Sequence, residues 1–215
     1  YDEAVQYPFG YGLSYTTFER TISGFKDAGD SITFDVKVKN TGDIAGKDVV
    51  EIYYIPPYTN GGIEKASANL IDFEKTDLLE PGASQTVSFT IAKEEMASYD
   101  SECKKTKNGG YILEAGEYRI SVRSDSHTIV DEATFTVKED VDYSKDGRES
   151  DQQTAVNQFE DYSRGDFVQL SRADGFANYG EAVKAPEAAA YEMDEETQAA
   201  VQASAAGYYD SSVYD

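Results

Sequence analysis

The sequence predicts an all-β protein, a two-sheet sandwich followed by an irregular, partly helical C-terminal extension. Three observations carry that prediction. Apolar and polar residues alternate over several short stretches before residue 138. Clusters of Asn, Asp, Gly and Pro separate these stretches at intervals of about 8–12 residues. Beyond Lys138 the alternation stops, and acidic and small side chains take over.

Each element has a local cause. Residues Ser31–Asn40 place Ile32, Phe34, Val36 and Val38 on one face and Thr33, Asp35, Lys37 and Lys39 on the other. That is a strand with one buried side. Asn40-Thr41-Gly42-Asp43 supplies turn chemistry, since Gly accepts positive φ and Asn and Asp bond nearby backbone. Residues 48–55 are apolar and β-branched enough for a central strand. Pro56-Pro57 ends it by removing two ladder donors. Residues 70–75 predict a further strand, and Glu80-Pro81-Gly82 a turn. Residues 84–91 alternate again, with Val87, Phe89 and Ile91 on one face. Lys93-Glu94-Glu95-Met96-Ala97 favours a helical turn. After a loop at Asn108-Gly109-Gly110, residues 118–124 put Tyr118, Ile120 and Val122 on one face, and residues 129–137 close the set. About seven short strands define a sandwich, and a unit of about 120 residues can bury a core and fold alone.

The extension is of another kind. From residue 139 onward it holds 18 acidic and 5 basic side chains. Residues 140–154 read as a linker or solvated segment. Aromatics return at 159–167 and 176–179, and residues 187–206, rich in Ala, Glu and Gln, predict one or two helices. Too few periodic apolar positions remain for a second core, so the extension is expected to run extended or to cling to the sandwich.

The formal net charge of −22 argues against a nucleic-acid partner, because phosphate backbones are bound by Lys and Arg clusters and the sequence shows none. It also opposes docking on anionic membranes, and no run of about 18 apolar residues exists to span a bilayer. An acidic surface serves solubility and by itself implies no substrate. A single cysteine, Cys103, excludes an internal disulfide and slightly favours a reducing, cytoplasmic setting.

No catalytic set is expected in this segment. Glu160-Asp161 and Glu195-Glu196 are sequence neighbours on polar stretches, not a dyad. His127, the one histidine, reads as a loop or strand-end residue, and Cys103, beside Lys104-Lys105, as a thiol without a role. No Cys/His cluster offers a zinc site, Asp140-Val141-Asp142 alone lacks the spacing of a calcium loop, and no glycine-rich phosphate loop is present. No metal and no cofactor are therefore expected. The surplus is tyrosine, 17 Tyr against no Trp. Aromatic faces stack on sugar rings, so Tyr53, Tyr54 and Tyr58 around Pro56-Pro57 are sugar-site candidates, with Tyr58 the one retained as substrate-binding. Tyr is also simply a good strand residue, and at least one of Tyr53 and Tyr54 must face the core.

Four segments, residues 7–18, 38–53, 70–89 and 109–118, together resemble glycoside hydrolase family 3. The opening run Tyr-Pro-Phe-Gly-Tyr-Gly-Leu-Ser-Tyr-Thr-Thr-Phe, residues 7–18, resembles that family's junction between its α/β sandwich domain and the fibronectin type III-like domain after it. Residues 38–53, with Asn40-Thr41-Gly42, Gly46, Val49-Val50 and Tyr53, resemble a strand pair of the fibronectin-like domain. Leu70-Ile71-Asp72-Phe73-Glu74-Lys75 with Glu80-Pro81-Gly82 and Val87-Ser88-Phe89 resembles its phenylalanine strand, Pro-Gly turn and next strand. Gly109-Gly110-Tyr111 with Ala115-Gly116-Glu117-Tyr118 is similar to its last hairpin. Asn157-Gln158-Phe159-Glu160-Asp161 and Leu170-Ser171-Arg172-Ala173-Asp174 are similar to the tail after that domain in members of permuted order, where the barrel comes last. Gly175-Phe176 stands where those tails carry a Trp.

The resemblance implies a fibronectin type III-like, immunoglobulin-like sandwich. It implies residues 1–18 as the end of a preceding α/β sandwich domain and junction, 19–138 as the fibronectin-like domain, and 139–215 as an acidic linker and the start of a following barrel. The parent would be a β-glucosidase-type glycosidase whose catalytic Asp and Glu lie on the barrel and the α/β sandwich domain, outside this chain. The segment itself would be a structural accessory, inactive alone, whose partners are the parent's own domains and, through them, a β-linked sugar; a homo-oligomer is compatible with this. Tyr7, Phe9, Tyr11 and Tyr15 would join the two sandwiches, and Arg172 and Asp174 would make a charged contact at the barrel's start. The alternative is a non-catalytic carbohydrate-binding or adhesion module of a bacterial surface protein.

Overall fold

The computed structural model describes residues 4–156, 168–185 and 192–208. The expectations for 157–167, 186–191 and 209–215, Glu160-Asp161 included, lie outside the described residues.

Strands β1 (Phe18–Asp27), β2 (Ser31–Asn40), β3 (Val49–Ile55), β4 (Asn69–Lys75) and β5 (Ser84–Ala92) come first in the chain. A 3-10 turn (Lys93–Met96) and β6 (Ser98–Tyr99), β7 (Tyr111–Leu113), β8 (Gly116–Asp125), β9 (Thr128–Val137) and β10 (Val141–Asp142) come next. They form antiparallel sheets ordered β1-β2-β5 and β4-β3-β8-β9, with a small β10-β7-β6 sheet at the side. This is the all-β sandwich that the alternation predicts. Ile32, Val36 and Val38 of β2 are fully buried, as are Val50 and Ile52 of β3 and Ile120 and Val122 of β8. Each such side chain contributes about 1.5–3 kcal/mol by leaving water.

Register fixes the aromatic pairs in the core. Phe34 faces Phe89 across β2 and β5 with ring centroids 5.4 Å apart, and Tyr118 faces Phe135 across β8 and β9 at 5.3 Å. The Tyr118 hydroxyl donates to Glu114 O, 3.1 Å away and four residues upstream, the arrangement called a tyrosine corner in such sandwiches. Burial pushes the Tyr118 phenol well above its ordinary pKa. The sheets are also tied at their edges. Arg20 of β1 forks onto the Asp48 carboxylate just before β3, at 2.7 and 2.5 Å, and Ile22 N–H donates to Asp131 of β9 at 2.7 Å.

Of the stretch 140–154, expected to be a linker or solvated segment, residues 141–150 are solvated on most of their side chains but are strapped to the sandwich rather than free. Val141 and Asp142 pair with Leu113 and Ile112, and Tyr143 N–H donates to Tyr111 O at 2.9 Å. Arg148 lies over the Tyr111 ring at 4.5 Å. The Glu94 carboxylate accepts the N–H groups of Glu149 and Ser150 at 2.6 and 2.9 Å. These partners lie far off in sequence, which is why composition alone suggests a free linker. Beyond it come two single helical turns, α1 (Ala173–Phe176) and α2 (Tyr179–Ala182), and helix α3 (Glu195–Tyr208), which takes up part of the predicted Ala/Glu/Gln-rich helical stretch.

Candidate functional site

Two constellations fix the segments that flank the sandwich. The first is centred on Asn40, which the sequence suggests only as a turn residue. Asn40 is completely buried. Its Oδ1 accepts the Thr16 hydroxyl at 2.6 Å and Gly42 N–H at 3.1 Å, while its Nδ2 donates to Ile44 O and Leu79 O, each at 2.8 Å. All four hydrogen-bonding positions of the amide are used. The side chain thus nails the end of the opening aromatic run to the sandwich. Gly46 belongs to the same hub: a Cβ there would lie 2.7 Å from Thr16 Cγ2 and 3.3 Å from the Phe18 ring.

Upstream of Thr16 the run crosses the outer face of the four-stranded sheet. Phe9 O accepts Ser126 N–H at 2.8 Å. Gly10, at φ +82°, rests on the Glu51 carboxylate, where a Cβ would fall 2.5 Å from Oε2. Beneath it lie Tyr53, whose hydroxyl donates to Glu51 at 2.8 Å, and Arg123, whose guanidinium sits 5.1 Å from the Tyr53 ring centre. Tyr54 faces the core and Tyr53 the outer side, yet both are buried, because the run roofs the second. Burial, then the Glu51 hydrogen bond, pushes the Tyr53 phenol upward. The aromatic side chains of the run itself remain open: Tyr7 is 65%, Phe9 67% and Tyr15 94% exposed.

The second constellation is the latch between the β3–β4 loop and the extension. The exposed Glu64 carboxylate accepts the Ser171 hydroxyl at 2.8 Å, Arg172 N–H at 2.9 Å and the Tyr58 hydroxyl at 3.2 Å. Burial works to raise the Glu64 pKa, but these donors outweigh it and hold the carboxyl below its ordinary value. The Arg172 guanidinium stacks over the Tyr58 ring at 4.3 Å and donates to Ala66 O at 3.3 Å. Asn60 Nδ2 donates to the Asp174 carboxylate at 2.8 Å.

Tyr58 is therefore half-buried, with one ring face against Arg172. Arg172 and Asp174 each contact the β3–β4 loop. His127 lies in the β8–β9 turn, where its N–H donates to Asp125 at 2.9 Å, and Cys103 is exposed in a loop. Glu195 and Glu196 open α3. Among the described residues, no group of three or more His, Cys, Asp or Glu is placed to hold a metal. Glu64, Asn40 and Arg123 are not singled out as site residues by sequence reasoning. Only Asn40, inside the Asn-Thr-Gly motif, carries a signal there.

The geometry defines a fibronectin type III-like sandwich with both flanks tied down, and the profile of the fibronectin type III-like domain matches residues 48–126. The chain is similar to a β-glucosidase of Kluyveromyces marxianus, 42% identical over 138 residues, covering 64% of this chain and 16% of that protein. A β-glucosidase of Ruminococcus albus is 38% identical, covering 63% and 14%. The solved structure of β-glucosidase 3B from Thermotoga neapolitana in complex with glucose superposes with a TM-score of 0.56 at 37% identity, over 63% of this chain and 18% of that one. The sandwich is homologous to the accessory domain of family 3 β-glucosidases. The chain spans about one sixth of the length of the curated relatives it matches.

Proposed function

We propose that this chain is the positioning segment of a β-glucosidase-type glycosidase. Residues 1–18 end a preceding α/β sandwich domain, 19–138 form the spacer, and 139–215 lead into a catalytic barrel. Retaining hydrolysis needs two carboxyl groups about 5–5.5 Å apart. When they are carried by different domains, the spacer sets that separation, and small misplacements cost large factors in rate.

The observation that carries this reading is that both flanks are fastened to the sandwich by hydrogen bonds to named residues of its strands and loops. The opening run is held by Asn40–Thr16 and Ser126–Phe9, and the extension by Glu64, Arg172 and Asn60. The exposed Tyr7, Phe9, Tyr11, Leu13 and Tyr15 are then the surface that the preceding domain covers. The half-exposed Tyr58, braced by Arg172, is the point at which the β3–β4 loop reaches toward the sugar in the parent.

The purified chain tests this. It should not cleave aryl β-glucosides, and its tyrosine fluorescence should not respond to cellobiose or longer glucose oligomers. Saturable binding at micromolar to low millimolar sugar would favour the carbohydrate-binding module instead, and turnover would refute both.

A further inference from the structure

Between the two fastened flanks lies an open groove of about 680 Å³ on the outer side of the four-stranded sheet. In a chain of net charge −22, it is lined by Arg119, Arg123, Arg172 and Lys65, with Glu64 as its one lining carboxylate. Most of the local acids are already engaged. Lys65 is neutralised by an ion pair with Glu114. Glu64 is taken up by Ser171, the Arg172 backbone and Tyr58. Arg119 has Glu132 at 3.5 Å, both side chains being about two-fifths exposed.

Arg123 is 4% exposed. It is braced from behind by Ser121 Oγ at 2.9 Å, Ser126 O at 2.5 Å and the Tyr53 ring. Arg172 is braced by Ala66 O and the Tyr58 ring. Among the described residues neither guanidinium makes an ion pair with a carboxylate. Burial lowers the pKa of both, and repulsion from Arg119 adds to it, while the fields of Asp125 and Glu132 on Arg123, and of Glu64 on Arg172, work the other way. Arg123 and Arg172, braced on neutral groups, keep donors for an anion from outside, and Arg119 lines the same groove with its side chain about two-fifths exposed beside Glu132. The planar fork of Arg suits a carboxylate or a phosphate.

We propose that this groove is an oxyanion-binding site, in which Arg119, Arg123 and Arg172 hold the carboxylate or phosphate group of a small ligand. The proposal does not depend on the parent's reaction, so it can fail or stand apart from the positioning role.

The test is an NMR titration of the purified chain with inorganic phosphate and, separately, with succinate, at ionic strength held constant by sodium chloride. Saturable amide shifts confined to residues 64–68, 119–127 and 170–176 are expected, with affinity weakened about five- to tenfold in both Arg119→Gln and Arg172→Gln. Arg123→Gln is avoided as the primary variant because its side chain is part of the packing. Saturation by phosphate alone identifies a phosphate site, and by succinate alone a carboxylate site. Shifts no larger than chloride produces, or affinity in both variants equal to that of the unaltered chain, overturn the proposal.

Discussion

Replacing Asn40 with Ala tests whether one buried amide holds the opening run to the sandwich. The cost depends on what each of its four partners has left. Leu79 O keeps the Gly46 N–H as a donor at 3.1 Å. Ile44 is exposed and Gly42 partly so, so their backbone groups regain water. The Thr16 hydroxyl, on a residue 8% exposed, loses its acceptor in a buried place, at a cost of about 1–3 kcal/mol. The space vacated by the amide adds a cavity term, for a total of about 2–4 kcal/mol. For a domain of this size that lowers Tm by roughly 6–15 °C. Asn40→Asp should be worse at neutral pH, because it sets a carboxylate against two carbonyl oxygens. Thermal and urea unfolding of Asn40→Ala, Thr16→Val and the double variant give the coupling directly. A Tm for Asn40→Ala within about 2 °C of the unaltered chain, or no coupling to Thr16, would refute the assignment.

Asp100 offers a pH signature. Burial works to raise its pKa, but the N–H groups of Thr106, Lys105 and Lys104 and the Thr106 hydroxyl outweigh it and hold the carboxyl below its ordinary value. A depressed folded pKa gives stability that is complete above the unfolded value near about 4 and is lost as pH falls through the folded value. The difference in urea midpoint between the unaltered chain and Asp100→Asn should therefore be largest at neutral pH and shrink below about pH 4; a gap independent of pH sinks this reading. Gly46→Ala pushes a Cβ onto Thr16 and Phe18 and should cost about 1–3 kcal/mol by calorimetry, whereas an unchanged melt means the crossing is loose. Glu64→Ala should raise hydrogen exchange of residues 171–174 about fivefold, since an exposed network of this kind contributes about 1 kcal/mol, with Tm unchanged; unaltered exchange would show that the latch carries no load.

Strands with one buried face and strict alternation were legible in the sequence. β2 and β5 follow from Ile32 to Val38 and from Val87 to Ile91. β1 was not found, because its register shifts between Ser23 and Lys26 and no residue in it is fully buried. β7 has three residues, too few for a period. The candidate site was less legible still. Tyr53 points away from the core and is buried only because residues near Gly10 cross above it. The arginine groove joins Arg119 and Arg123 of β8 to Arg172, and no local pattern announces a meeting between a strand and a segment some fifty residues on. The family-like Asn-Thr-Gly…Gly motif was visible, but its reason, the crossing of Thr16 and Phe18 over it, needed the fold.

The proposed positioning role is tested most directly by breaking the Glu64–Arg172 latch in the proposed multidomain parent. The Glu64→Ala/Arg172→Ala pair should lower kcat on a β-glucoside by about tenfold or more, while the melting temperature of this segment stays within about 2 °C of the unaltered one. An unchanged kcat with the latch demonstrably open would contradict it.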